Sequence, residues 1–123
     1  MSGAFFERYV FSEIYKSYLN AGREPPIFYY RDKDQKEIDL LLCQNGTVHP
    51  IEAKKSASPG KTAIKNFSVL EPLAEPDRFG GMQDLKVEIG TGNVICMARD
   101  LLPVDEKNWY VPVWLIQAKS SPF

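Results

Sequence analysis

The sequence predicts an α/β (α+β) domain, a central mixed sheet of four to five strands flanked by helices in the order α-β-β-β-α-β-β. Three observations carry this. Gly3 to Asn20 repeats its apolar residues at the helical period. Two runs of β-forming residues, Glu37 to Cys43 and Thr47 to Lys54, flank Asn45-Gly46, a strong hairpin signal. A proline-bounded helical stretch, Lys61 to about Leu70, then separates this hairpin from two further apolar runs, Asn93 to Ala98 and Trp109 to Ile116.

On a helical wheel of the first element, Arg8, Ser12, Lys16 and Asn20 gather on one side, with Phe6, Val10, Phe11, Ile14 and Tyr18 on the other. Asn20-Ala21-Gly22 is a stop signal, and Pro25-Pro26 breaks the chain. Ile27 to Tyr30 reads as the first strand and Arg31 to Lys36 as a polar turn. Ser58-Pro59-Gly60 reads as a cap with proline at the first helical position, and Pro72 and Pro76 end that helix. Glu71 to Gly92 carries no clear element and is expected to hold a mobile loop. Pro103 to Asn108 reads as a loop. Pro112 puts the last strand at an edge or a bulge, and the tail from Ser120 is expected to fray.

The chain of 123 residues fits a single domain, 1–123, able to bury a core without staples. Its net charge of −1 argues against a protein that coats nucleic acid non-specifically. Cys43 and Cys96 sit in apolar runs without the spacing of a zinc or redox motif, as expected for buried free thiols in a reducing compartment. No apolar run reaches the ~18 residues of a membrane span. No signal peptide is visible, so the expected location is cytoplasmic. Met1-Ser2 followed at once by a helix pattern reads as the start of a domain excised from a longer protein.

Alternation places Ile38, Leu40 and Leu42 on one face of the second strand, and Glu37, Asp39, Leu41 and Cys43 on the other. In the third strand Val48, Pro50, Glu52 and Lys54 share a face. The short hairpin makes the strands neighbours, so Asp39 is expected to meet Glu52 and Lys54 across the sheet. A solvated polar face would also explain these charges. Against it, the acids lie inside apolar runs, Ile38-Asp39-Leu40-Leu41-Leu42 and Pro50-Ile51-Glu52-Ala53-Lys54, and a partly buried carboxylate needs a partner or a cation. Two hard carboxylates suit Mg²⁺ or Mn²⁺ with positions left for water and a phosphate oxygen. A lysine two residues after one ligand can orient the water or stabilise growing charge.

Asp39, followed thirteen residues later by Glu52-Ala53-Lys54, resembles the PD-(D/E)XK nuclease signature, and the order of elements around it is similar. The resemblance implies a restriction-endonuclease-like fold. It gives Asp39 and Glu52 to the metal, with the Ala53 carbonyl beside them, and Lys54 to the water. A broader resemblance spans most of the chain: Gly3-Ala4-Phe5-Phe6-Glu7 through Glu13, Tyr30-Arg31-Asp32, Glu37-Ile38-Asp39-Leu40, Pro50 to Lys54, and Val111-Pro112-Val113-Trp114. These residues look like the domain that follows the ATPase core in a family of prokaryotic AAA-type ATPases. That likeness implies an N-terminal ATPase domain outside this chain, which itself has no P-loop motif. Many PD-(D/E)XK nucleases also use a glutamate on the first helix. Glu7 is preferred here and Glu13 stands second, although either could be a helix glutamate paired with a nearby base. Gly3-Ala4-x-x-Glu7-Arg8 also looks like the opening of archaeal junction-resolving enzymes of the same superfamily.

Around this set, Arg31 ends the first strand where it could contact phosphate. Lys54, Lys55, Lys61 and Lys65 form an acid-free stretch that fits either a phosphate track or a solvated helix face. Glu37 reads as a rim charge, and His49 is expected to face away from the site. Trp109, Tyr110 and Trp114 read as packing residues rather than a base-stacking platform. The expected activity is metal-dependent hydrolysis of DNA, or less favourably RNA, by a domain that could self-associate. The alternative is a non-catalytic module that binds nucleic acid or a protein partner of the ATPase.

Overall fold

The computed structural model describes residues 2–74 and 87–117. Helix α1 (Gly3–Asn20) opens on Ser2, whose Oγ accepts the Phe5 N–H at 3.1 Å and whose carbonyl accepts the Phe6 N–H. It closes at Gly22, where φ is +70°. There the Gly22 N–H donates to the Leu19 carbonyl and the Arg23 N–H to that of Tyr18. Phe6, Val10, Ile14 and Tyr18 are buried as expected, but Phe11 is exposed and Glu13 takes a buried place on the inner face.

Strands β1 (Ile27–Arg31), β2 (Glu37–Gln44) and β3 (Thr47–Lys54) form an antiparallel meander. Asp32 organises the first turn, its Oδ1 accepting the N–H groups of Asp34 and Lys36. Asn45 and Gly46 both have positive φ, 53° and 80°, which suits a two-residue hairpin turn. The chain then crosses the sheet as a 3₁₀ segment, Lys61–Ala74. Ile64, Phe67 and Leu70 fall three residues apart, so a helix of three residues per turn stacks them in one ridge. Strands β4 (Glu88–Ile89), β5 (Gly92–Cys96), β6 (Leu102–Pro103) and β7 (Asn108–Pro112) extend this to a mixed sheet of seven strands among the described residues, and a 3₁₀ turn, Val113–Gln117, follows. The order is β1-β2-β3-β5-β7-β6, with β3, β5 and β7 parallel and β4 added beside the start of β3. The core lies on both faces. Helix α1 packs over Leu40, Leu42, Ile51, Ala53, Ile95 and Val111, and the 3₁₀ segment covers Ile38 and Leu41 on the other side.

The structure corrects several expectations. Among the described residues the sheet has seven strands rather than four or five, because β4 and β6 are two-residue additions without a pattern of their own. The second helix is 3₁₀, starts after Gly60 and carries Pro72 inside it, so Pro59 does not occupy its first turn. The last strand ends at Pro112 and is internal, between β5 and β6. Pro50 sits in an internal strand as well. β3 pairs β4 only through Thr47 and Val48 and pairs β5 from Ile51 onward, so the missing N–H of Pro50 falls where the ladder is interrupted. Within the expected Glu71 to Gly92 loop, residues 75–86 lie outside the described residues, as does the tail from Ser120. No helix among the described residues is long and apolar enough to cross a membrane.

Strict alternation fails in β2. Phe28 pairs Leu41 and Tyr30 pairs Ile38, so one residue of β1 stands opposite two of β2, Asp39 and Leu40. This β-bulge reverses the facing of the strand. Ile38 packs with Leu41, Phe67 and Leu70 under the 3₁₀ segment, whereas Leu40 and Leu42 pack under α1. The expected grouping of Ile38 with Leu40 and Leu42 is therefore wrong.

Candidate functional site

The β2–β3 pairing ends at Leu40 and Ile51. Beyond that point the two acids take over the bonding between the strands. Glu52 Oε1 accepts the Asp39 N–H at 3.3 Å, and Asp39 Oδ2 accepts the Ala53 N–H at 2.9 Å. Asp39 reaches this gap because the bulge turns it toward the α1 side, where it lines a cleft with Leu40, Ile51 and Ala53. Glu52 lies between Ile51 and Ala53, both in the core beneath α1, so it leaves β3 on the opposite face. The pair thus meets at the fork of two strands and not on a shared face as alternation predicted.

Glu52 is buried, 7% exposed, and its carboxyl is pushed up to about 8, first by loss of water and then by the negative charge of Asp39. The charge of Lys54 opposes that rise. Lys54 itself is exposed at the end of β3. Glu7 projects from α1 at the rim of the cleft. Its carboxyl is also raised, by loss of water first and then by Asp39, with Lys54 acting in the opposite direction. Glu7, Asp39, Glu52 and Lys54 therefore share one electrostatic neighbourhood. Glu13 lies deeper on α1, with Lys16 Nζ 3.6 Å from its Oε1, and does not line the cleft.

Among the described residues no group of three or more His, Cys, Asp and Glu side chains is arranged to hold a metal ion. The donor set is the two carboxylates at the fork, with the Ala53 carbonyl as the expected third. That set fits Mg²⁺ or Mn²⁺, which are commonly bound through one or two carboxylates and complete their shells with water and phosphate. The charge conflict that raises Glu52 is also one that a cation would relieve.

The other predicted residues are placed as follows. Arg31 Nε lies 3.1 Å from Glu37 Oε1, its register partner across β1 and β2, and its Nη2 donates to Gln35. Lys55, Lys61 and Lys65 are exposed; the charge of Lys61 acts on Asp105, next to β7, rather than on the acid pair. His49 lies away from the fork, its Nδ1 3.0 Å from the Thr91 carbonyl oxygen. Cys43 and Cys96 are free thiols raised by burial, the state of unreactive cysteines.

Over residues 2–116 the chain matches the family described as Domain of unknown function (DUF4143). The chain belongs to the DUF4143 family. No curated protein and no solved structure matches it. The matched stretch takes in every described strand of this DUF4143 domain together with α1.

One part of the DUF4143 site was not read from sequence. A cleft of about 370 Å³ runs from Asp39 and Glu7 to the aromatic residues Phe11 and Tyr29. The helical wheel puts Phe11 on the buried face of the helix, and Phe28-Tyr29 reads only as strand-forming. The available signal was the doublet itself. Two large aromatics in succession on an edge strand cannot both enter one core face, and here they are 57% and 63% exposed. Trp109 and Trp114, read as packing residues, are exposed too, Trp114 at 57%.

Proposed function

We propose that this domain is the nuclease-type module of an AAA-type ATPase, with a restriction-endonuclease-like fold, acting on DNA in the cytoplasm. The observation that carries the proposal is the reciprocal bonding of Asp39 and Glu52 at the β2–β3 fork, with Lys54 acting on Glu52 and Glu7 together. A meander leading through a crossover into a parallel strand beside β3, with α1 over one face, also supports it. A Mg²⁺ or Mn²⁺ held by Asp39, Glu52 and the Ala53 carbonyl would supply a Lewis acid and an acidified water for phosphodiester hydrolysis.

The chain's own groups do the positioning. The Ala53 N–H fixes the Asp39 carboxylate. The Asp39 N–H fixes Glu52. Lys54 supplies an exposed ammonium whose charge acts on Glu52 and Glu7, suited to hold the attacking water or the charge growing on phosphate. Glu7 lines the approach from α1. Plasmid nicking with Mn²⁺ tests the proposal, comparing the unaltered domain with Asp39→Ala and Lys54→Ala. Cleavage is expected only for the unaltered protein, and equal behaviour of all three would remove the basis for the reading.

A second reading, a non-catalytic module docking a protein partner, draws on the exposed apolar residues of α1, with Phe5 at 60% and Leu19 at 51% exposure. Calorimetric titration with Mn²⁺ separates the two. Binding that is lost in Asp39→Ala favours the nuclease, and no binding below the millimolar range favours the docking module.

A further inference from the structure

We infer that the aromatic cleft beside Asp39 is a pocket for one unstacked nucleobase, so that the domain acts on single-stranded or locally opened nucleic acid. The inference deepens the nuclease reading and rests on it for the position of the phosphate. Asp39 belongs to both features: its carboxylate is half of the acid pair, and it lines the cleft. A nucleotide whose phosphate lies at the fork therefore has its base within reach of the cleft.

The chemistry of the cleft fits a base. Phe11 and Tyr29 form one wall and Ile27, Leu40 and Ile51 the floor. Phe11 is braced from behind by Tyr15, their ring centroids 5.9 Å apart and their planes 24° from parallel. Aromatic rings of this kind stack on any base, because every base has a π face. Arg8 and Glu7 at the rim offer a cation for the backbone and an acceptor for exocyclic amino groups.

Size points the same way. A cleft of about 370 Å³ lies near the lower end of small-ligand pockets, roughly 300–1,000 Å³, and cannot take stacked base pairs. A base in a duplex would have to leave its stack to enter. The small net charge of −1 also leaves little for tracking a duplex backbone and shifts the work of binding to stacking.

The experiment separates binding from cleavage. In EDTA, a single-stranded oligonucleotide carrying 2-aminopurine and its duplex form are titrated with the unaltered domain, with Phe11→Ala/Tyr29→Ala, and with Phe11→Leu/Tyr29→Leu, which retains bulk and removes the π face. Phe11 and Tyr29 are 42% and 63% exposed, and a thermal melt checks that the variants stay folded. The expected result is a preference for the single strand, a change in 2-aminopurine emission on binding, and a loss of about 5- to 150-fold in affinity for both double variants. Equal binding of duplex and single strand, or no effect of the substitutions, overturns the inference. So does a concentration-dependent dimer broken by the same substitutions without single-strand binding, because the wall would then be a protein interface. Mn²⁺-dependent nicking reports on the nuclease reading alone. Nicking without single-strand preference defeats the pocket and spares the nuclease; stacking without nicking does the reverse.

Discussion

Glu52 Oε1 accepts the backbone N–H of Asp39 at 3.3 Å, while Asp39 gives its own carboxylate to the next residue of Glu52's strand. Each acid therefore closes a backbone donor that the parting strands would leave open, so the candidate metal ligands are also structural bonds. The Glu52 carboxyl, pushed up to about 8 from an ordinary value of 4.5, keeps its proton in the folded chain across a range where the unfolded chain has lost it. Over that range the native state binds more protons, so stability falls as pH rises. We predict that in EDTA the melting temperature declines between about pH 4.5 and pH 8 and then levels as far as Glu52 is concerned. Glu52→Gln, which retains an acceptor for the Asp39 N–H, should remove that part of the slope. Superimposable pH profiles for the two proteins would show that Glu52 ionises normally.

Substitutions at the site should separate by role. Lys54→Ala is expected to lower the rate of Mn²⁺-dependent cleavage about 10²–10³-fold with little change in Mn²⁺ affinity. Glu7→Gln, which removes a negative charge close to Asp39, should instead weaken Mn²⁺ binding about 10- to 100-fold. Single-turnover rates beside calorimetric titrations give both numbers. A Lys54 variant that loses metal binding would contradict the division.

The bulge can be tested through its packing. Ile38 is fully buried beside Phe67, so Ile38→Ala should cost about 2–5 kcal/mol in urea unfolding. Crossing it with Phe67→Leu in a double-mutant cycle should give a coupling of about 0.5–3 kcal/mol, and crossing it with Val10→Ala on the α1 side should give almost none. Coupling to Val10 instead would mean that Ile38 faces α1 and that no phase reversal exists.

Gly92 opens β5 with no room for a side chain. A Cβ there would lie 2.7 Å from Phe67 Cε2 and would also collide with the Asn108 side chain. Gly92→Ala is therefore expected to destabilise by about 1–3 kcal/mol, measurable by chemical denaturation. Adding Phe67→Leu should recover part of the loss. Full stability of Gly92→Ala would mean that the 3₁₀ segment sits farther from the sheet.

Sequence periodicity reached α1, β1, β2, β3 and the hairpin at Asn45-Gly46, because each has either a clear apolar period or a turn residue whose backbone need is specific. It missed β4 and β6, whose two residues are too short for any period and pair only because longer neighbours are in place. It read the crossover as an ordinary helix although Ile64, Phe67 and Leu70 already carried a three-residue spacing. At the site, Asp39, Glu52 and Lys54 were legible as residues but not in their geometry. A bulge depends on how two strands pair, and β2 alone records only Ile38-Asp39-Leu40-Leu41, a run apolar on both sides of the acid. The aromatic cleft was hidden for a related reason: Phe11 looks like a core residue until the placement of α1 over the sheet leaves it outside.

The extra residue in β2 also restricts how this stretch can change length. Because Asp39 and Leu40 share one place opposite β1, the two halves of the strand are out of step by a single residue. Removing one residue between Ile38 and Leu41 would bring them back into step and leave no position from which an acid could both enter the cleft and reach Ala53. Insertions at the Asp32–Lys36 turn, outside the paired segment, carry no such penalty. The site therefore depends on a residue count as well as on residue identity, and a shift of one position would erase it even with every side chain retained.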